Sequence, residues 1–148
     1  MTILRHKNRL DLTPRPLDAP RARVLVAEDD EAFASLLLDV LVADGHDVDY
    51  VDSGLGLFDA LSHRERNGPY DLVVSDVRMP GLSGLHVLSL TEDDVGRPDM
   101  ILITAFPSES VELSARKHGA VHLLGKPFEM ATLRQLVRGV VAQRRATG

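Results

Sequence analysis

The sequence predicts an α/β domain built on a doubly wound parallel sheet, and three observations carry that reading. Five short β-rich runs alternate with five amphipathic stretches along the chain. Each run has the length of a strand and each amphipathic stretch the length of a helix. Every run except the second ends in a polar residue, as expected where parallel strands open onto a crevice.

The first run is Arg23 to Ala27 (RVLVA). After it Phe33, Leu36, Leu37, Val40 and Leu41 share one face at helical spacing, and Asp44-Gly45 supplies a stop signal. The other runs are Val48 to Val51, Leu72 to Ser75, Met100 to Thr104 and Val121 to Leu124. Helices are predicted over Leu55 to Arg66, about Gly84 to Asp93, Ser108 to His118 and Glu129 to Gln143. The third helix is short, because TEDDVGRP breaks the apolar pattern soon after Leu90. Strands separated by helices require right-handed crossovers, hence a parallel sheet with helices on both faces. The expected architecture is a five-stranded sheet in the common order 2-1-3-4-5.

A chain of 148 residues has room for one ordinary domain, expected over residues 21–143. Residues 1–20 carry Pro14, Pro16 and Pro20 and no sustained periodicity, so they read as a disordered N-terminal arm. Residues 144–148 read as a flexible tail. The lack of cysteine excludes disulfides, thiol nucleophiles and Cys-ligated metals. A net charge of −5 argues against direct nucleic-acid binding by phosphate neutralisation. No apolar stretch approaches the roughly 20 residues that span a bilayer, and MTILRHKNRL lacks a signal-peptide core. A cytoplasmic protein without membrane contact is the expectation.

The chemistry gathers at the strand ends. The first strand ends in Glu28-Asp29-Asp30, the third in Asp76, the fourth in Thr104 and the fifth, past Gly125, in Lys126. In the order 2-1-3-4-5 the first and third strands are neighbours, so Glu28, Asp29 and Asp76 converge. Two carboxylates about 4 Å apart repel by roughly 4 kcal/mol at an effective dielectric near 20, so a cation is required. Oxygen ligands in an open site suit Mg²⁺. Lys126 adds a point charge and Thr104 a hydroxyl donor, the remaining needs of a transferring phosphoryl group. No Walker motif or GxGxxG occurs, so a bound nucleotide is not the expected phosphate source. A carboxylate is the available nucleophile. Asp30 reads instead as the N-cap of the first helix, and His118 and His122, separated by Gly119, as ordinary histidines.

Taken together, RVLVAEDDEAF, LVVSDVRMPGLSGL, ILITAF and HLLGKPF resemble the receiver domain of bacterial two-component systems, over about residues 21 to 145. The resemblance implies a flavodoxin-like receiver fold with Asp76 as phosphoacceptor. It further implies Asp29 as direct Mg²⁺ ligand, Glu28 as its partner, and the Arg78 backbone carbonyl as another ligand. Thr104 would donate to a phosphoryl oxygen, Lys126 would pair with it, and Lys126-Pro127 would be cis. The implied phosphodonor is a histidine kinase or a histidine phosphotransfer protein. A downstream partner would bind the fourth helix, fifth strand and fifth helix, and a phosphorylation-dependent dimer is compatible with that surface. Such a protein is not an enzyme toward other substrates; it catalyses only its own phosphorylation and dephosphorylation.

Two departures accompany the resemblance. Three residues before the lysine the family usually carries Tyr or Phe, whereas this chain has Leu123. Arg78 and Phe106 stand two residues after Asp76 and Thr104, positions that the resemblance implies flank the phosphoryl group and tune its hydrolysis. With no output domain after Gln143, a stand-alone regulator is expected, the alternative being a receiver fragment of a larger one. The rival function is a Mg²⁺-dependent phosphatase with an aspartyl nucleophile. Its DxDx[TV] signature belongs to the first strand, whereas the nucleophile candidate here follows the third.

Overall fold

A computed structural model describes residues 4–6 and 21–147. In chain order the elements are β1 (Leu4–His6), β2 (Arg23–Ala27), α1 (Glu31–Ala43), β3 (Asp47–Val51), α2 (Gly54–Ser62), α3 (Arg64–Asn67), β4 (Leu72–Asp76), α4 (Gly84–Leu90), β5 (Asp99–Thr104), α5 (Glu109–Lys117), β6 (His122–Gly125) and α6 (Met130–Thr147). Five parallel strands stand in the order β3-β2-β4-β5-β6, the expected 2-1-3-4-5.

The sheet has a sixth strand, within the segment 1–20 expected to be a disordered arm. β1 pairs antiparallel with β3, with Leu4 opposite Tyr50 and His6 opposite Val48. Three residues are too few to leave a readable alternation, and the strand satisfies backbone groups that an edge strand would otherwise expose. The rest of that arm, residues 1–3 and 7–20, lies outside the described residues.

Two helices differ from expectation. The predicted second helix splits at His63, leaving α3 as one turn closed by Gly68 at φ +79°. Its buried apolar face ends at Leu61, and among the described side chains His63, Arg64 and Arg66 follow as polar residues. The expected tail at 144–148 is helical as far as Thr147. Arg144 and Arg145 complement the helix dipole in the last turn. Arg144 also pairs with Asp99 at 3.4 Å, and Arg145 donates to the main-chain carbonyl of Arg21.

Alternate residues of the central strands feed two cores. Val24, Val26, Leu72 and Ile101 pack against α1 and α6 through Leu37, Leu41, Leu133 and Val137. Leu25, Val73, Met100 and Leu102 pack against α2, α4 and α5 through Leu57, Leu61, Leu88 and Ala115. Truncating a buried leucine such as Leu41 or Leu133 to Ala costs about 2–5 kcal/mol. With both faces covered, the C-terminal ends of the strands are left to present polar groups.

Helix starts reinforce that edge. Asp30, Ser53, Ser83 and Ser108 are N-caps, each accepting from the backbone N–H three residues on. Each helix therefore begins sharply beside the crevice. Asp30 has the capping role its position predicted.

Candidate functional site

β2 and β4 are adjacent, with Ala27 opposite Ser75, so the residues just past each strand share one opening. Glu28, Asp29 and Asp76 each bring a carboxylate oxygen within 4.8 Å of the others. Glu28 is buried at 1 % exposure and Asp76 at 8 %, whereas Asp29 is exposed. Among the described residues this is the group able to share an ion, and its hard oxygen donors fit Mg²⁺.

Lys126 reaches the same opening from the end of β6. Its Nζ donates to Glu28 Oε1 and to Asp76 Oδ2, 3.1 Å in each case. The Lys126-Pro127 peptide bond is cis. Burial pushes the Glu28 carboxyl up, its hydrogen bond and charge interaction with Asp76 push it further, and Lys126 only partly offsets them, leaving a pKa of about 7. Burial works against the Lys126 ammonium, but hydrogen bonds and charges from Glu28 and Asp76 prevail and hold its pKa above the ordinary value. The pocket thus carries more negative charge than one lysine balances.

The backbone around Asp76 is tightly fixed. Ser75 Oγ donates to the Asp76 carbonyl at 2.9 Å, Val77 N–H to Ile103 at 2.7 Å, and Gly84 N–H to Val77 at 2.8 Å. A Cβ on Gly84 would lie 2.4 Å from the Asp76 carbonyl oxygen, so only glycine lets α4 begin there. A Cβ on Gly54 would meet the Leu82 carbonyl oxygen at 1.8 Å, which brings α2 equally close to the same loop. Within that loop Arg78 N–H donates to Asp76 Oδ1 at 3.3 Å.

Thr104 is buried at the end of β5, and its Oγ1 accepts the Phe106 N–H at 3.1 Å. The Arg78 guanidinium stacks on the Phe106 ring, linking the loops after β4 and β5. Leu123 lies in β6, half-buried against the core beneath α5. Between α5 and β6 a groove of about 660 Å³ is lined by Pro107, Ala115, Ala120, Leu123 and Gly125, among others. His118 bonds Glu92 at 2.9 Å and His122 opens β6, so neither joins the carboxylates.

Two residues were not singled out in the sequence. Tyr50 Oη donates to the Glu28 carbonyl at 2.6 Å, tying β3 to the acidic turn. Phe33 places its ring 4.2 Å from Lys126 Nζ. Phe33 was legible only as the first inward residue of α1. Its nearness to the strand ends was the available signal.

The response regulator receiver domain family matches residues 24–138, and the chain belongs to that family. It is the kind of domain found in response regulators of two-component systems. It is 35% identical over 116 residues to the response regulator protein FleR of Pseudomonas aeruginosa, covering 78% of this chain and 24% of FleR. To the transcriptional regulatory protein TctD of Salmonella typhimurium it is 35% identical over 126 residues, covering 85% of this chain and 54% of TctD. The chain thus spans between a quarter and about half of these relatives. Among solved structures, a Francisella response regulator receiver domain superposes with a TM-score of 0.75 at 24% identity, covering 83% of this chain and 98% of the other. A CheY-like receiver domain protein from Methanospirillum hungatei gives 0.75 at 20% identity, covering 85% and 98%. Among the described residues no helix is long and apolar enough to cross a membrane.

Proposed function

We propose that this receiver takes a phosphoryl group onto Asp76 from the phosphohistidine of a histidine kinase or histidine phosphotransfer protein, in the cytoplasm, and that phosphorylation changes its partner surface. The observation that carries this is the Lys126 bridge: one ammonium 3.1 Å from both Asp76 and Glu28, beside an acidic trio suited to Mg²⁺. An Asp76 carboxylate oxygen forms the new O–P bond as the P–N bond to the donor imidazole breaks. Lys126 turns from Asp76 toward a phosphoryl oxygen, and Thr104 donates its hydroxyl to another. Glu28, Asp29, Asp76 and the Arg78 carbonyl would hold Mg²⁺. When bound, the ion offsets the charge that gathers as a phosphoryl group enters an anionic pocket.

The proposed output surface is α5, β6 and α6, which includes the groove beside Leu123. The only reaction proposed is the protein's own phosphorylation and dephosphorylation. Incubation with Mg²⁺ and acetyl phosphate should add one phosphoryl group that is acid-stable and base-labile, and Asp76→Asn should abolish it. Stoichiometric label in that variant would overturn the assignment. Sustained turnover of small phosphate esters would instead favour the phosphatase.

A further inference from the structure

We infer that Phe33 is a positioning residue for Lys126: its ring face holds the ammonium in the place from which it meets the phosphoryl group. The inference rests on the proposed function, in which Lys126 pairs with the incoming phosphoryl. It stands on contacts that bring together two distant parts of the chain, α1 and the β6–α6 connection.

Lys126 is a flexible four-carbon side chain at a strand end, and it must be ordered to act at one point. An ammonium has three N–H donors. Two are used on Glu28 Oε1 and Asp76 Oδ2, each at 3.1 Å. On a further side, the Phe33 ring centroid lies 4.2 Å from Nζ, well inside the range of a cation–π contact. The Lys126 side chain is 23 % exposed, so water screens the contact only in part.

Phe33 is itself held in place. Its ring meets Phe128 edge to face, with centroids 5.9 Å apart and planes at 82°. Phe128 lies two residues past Lys126, so the chain that delivers the lysine also buttresses the ring it rests on. Phe33 is fixed from below by the first turn of α1, where its N–H is capped by Asp30 at 3.2 Å. Both carboxylate partners of Lys126 are also proposed to hold Mg²⁺ or to carry the phosphoryl group. Phe33 is the contact that stays unchanged when those two engage other ligands.

The test replaces Phe33 with phenylalanines carrying one, two or three ring fluorines, which keep the ring's shape while draining charge from its face. The acetyl phosphate rate at Asp76 and the beryllofluoride affinity should fall stepwise with fluorination. Phe33→Leu should slow phosphorylation about three- to tenfold, the size of a partly screened cation–π contact. Phe33→Tyr should recover most of the rate, since it keeps the ring. Equal rates across the fluorinated series, at unchanged melting temperature, would show that Phe33 is packing only and overturn the inference alone. A parent chain that takes no phosphoryl group would overturn the proposed function and this inference with it.

Discussion

The guanidinium carbon of Arg78 lies 4.6 Å from the centroid of the Phe106 ring, joining the loop after Asp76 to the loop after Thr104. Phe106 is 62 % exposed, so the contact is worth about 0.5–1 kcal/mol. The Phe106 N–H rests on Thr104 Oγ1, the hydroxyl proposed to turn toward the phosphoryl group. A phosphoryl group can shift the conformation only through such differential contacts. Because Leu123 has no ring or hydroxyl to report the motion, the loop and α5 should carry it. Hydrogen exchange with and without Mg²⁺ and beryllofluoride is expected to differ most across Ala105 to His118. Phe106→Ala should shrink that difference. Unchanged exchange there, with a partner still telling the two forms apart, would point to direct recognition of the phosphorylated crevice.

The acidic trio is unequal. Glu28 and Asp76 are buried together, while Asp29 is exposed. Asp76→Asn should remove the charge that helps push Glu28 up, stabilising the metal-free protein by about 1 kcal/mol, or about 2–4 °C in Tm for a chain of this size. Asp29→Ala should leave stability within about 0.5 kcal/mol of the parent, as for other exposed sites, while weakening Mg²⁺ binding severely. Thermal melts with and without Mg²⁺ separate the two. Parent-like Mg²⁺ affinity in Asp29→Ala would remove it from the site.

Sequence alone shows how far such inequality can be read. The alternation of β-rich and amphipathic runs predicts all five parallel strands, and the polar strand ends bring Glu28, Asp76 and Lys126 to one edge. Which carboxylate is buried could not be read, because it depends on how deeply β2 and β4 seat beneath the loops. The Lys126–Phe33 contact depends on a ring orientation, and periodicity reports only a face. β1 was hidden because three residues make no pattern, and the helical 144–147 segment because its anchors, Asp99 and the Arg21 carbonyl, are remote in sequence.

The core between the sheet and α1 and α6 has its own electrostatic staple. Arg134 on α6 donates from Nε and Nη2 to the two Asp44 carboxylate oxygens, at 2.9 and 2.6 Å, beside the end of α1. Burial would raise the Asp44 pKa, but Arg134, with smaller help from Arg138 and His46, holds it below its ordinary value. A depressed carboxyl contributes stability above its unfolded pKa and loses it as pH falls through the folded one. Asp44→Asn should therefore cost about 1 kcal/mol at pH 7, since Arg134 is 42 % exposed and water can replace its partner. The deficit should vanish in acid. Denaturant titrations at neutral pH and well below the ordinary aspartate value of 3.8 give both values, and an equal loss at both would assign the effect to packing.

Glu28 has the opposite sign. Its folded pKa of about 7 exceeds the ordinary 4.5, so between those values the folded protein keeps a proton that the unfolded chain has released. The stability of the metal-free protein should fall as pH rises through that window. A Mg²⁺ ion drawn to the same carboxylates competes with that proton. Affinity for Mg²⁺ should therefore climb between pH 5 and pH 7, and binding near pH 6 should release close to one proton. Calorimetry in buffers of different ionisation enthalpy counts the protons directly. Glu28→Gln should abolish the release and flatten the pH profile while leaving Asp29 and Asp76 to bind more weakly. A parent chain that released no proton near pH 6 would mean that Glu28 is already ionised there, and that Lys126 outweighs both burial and Asp76.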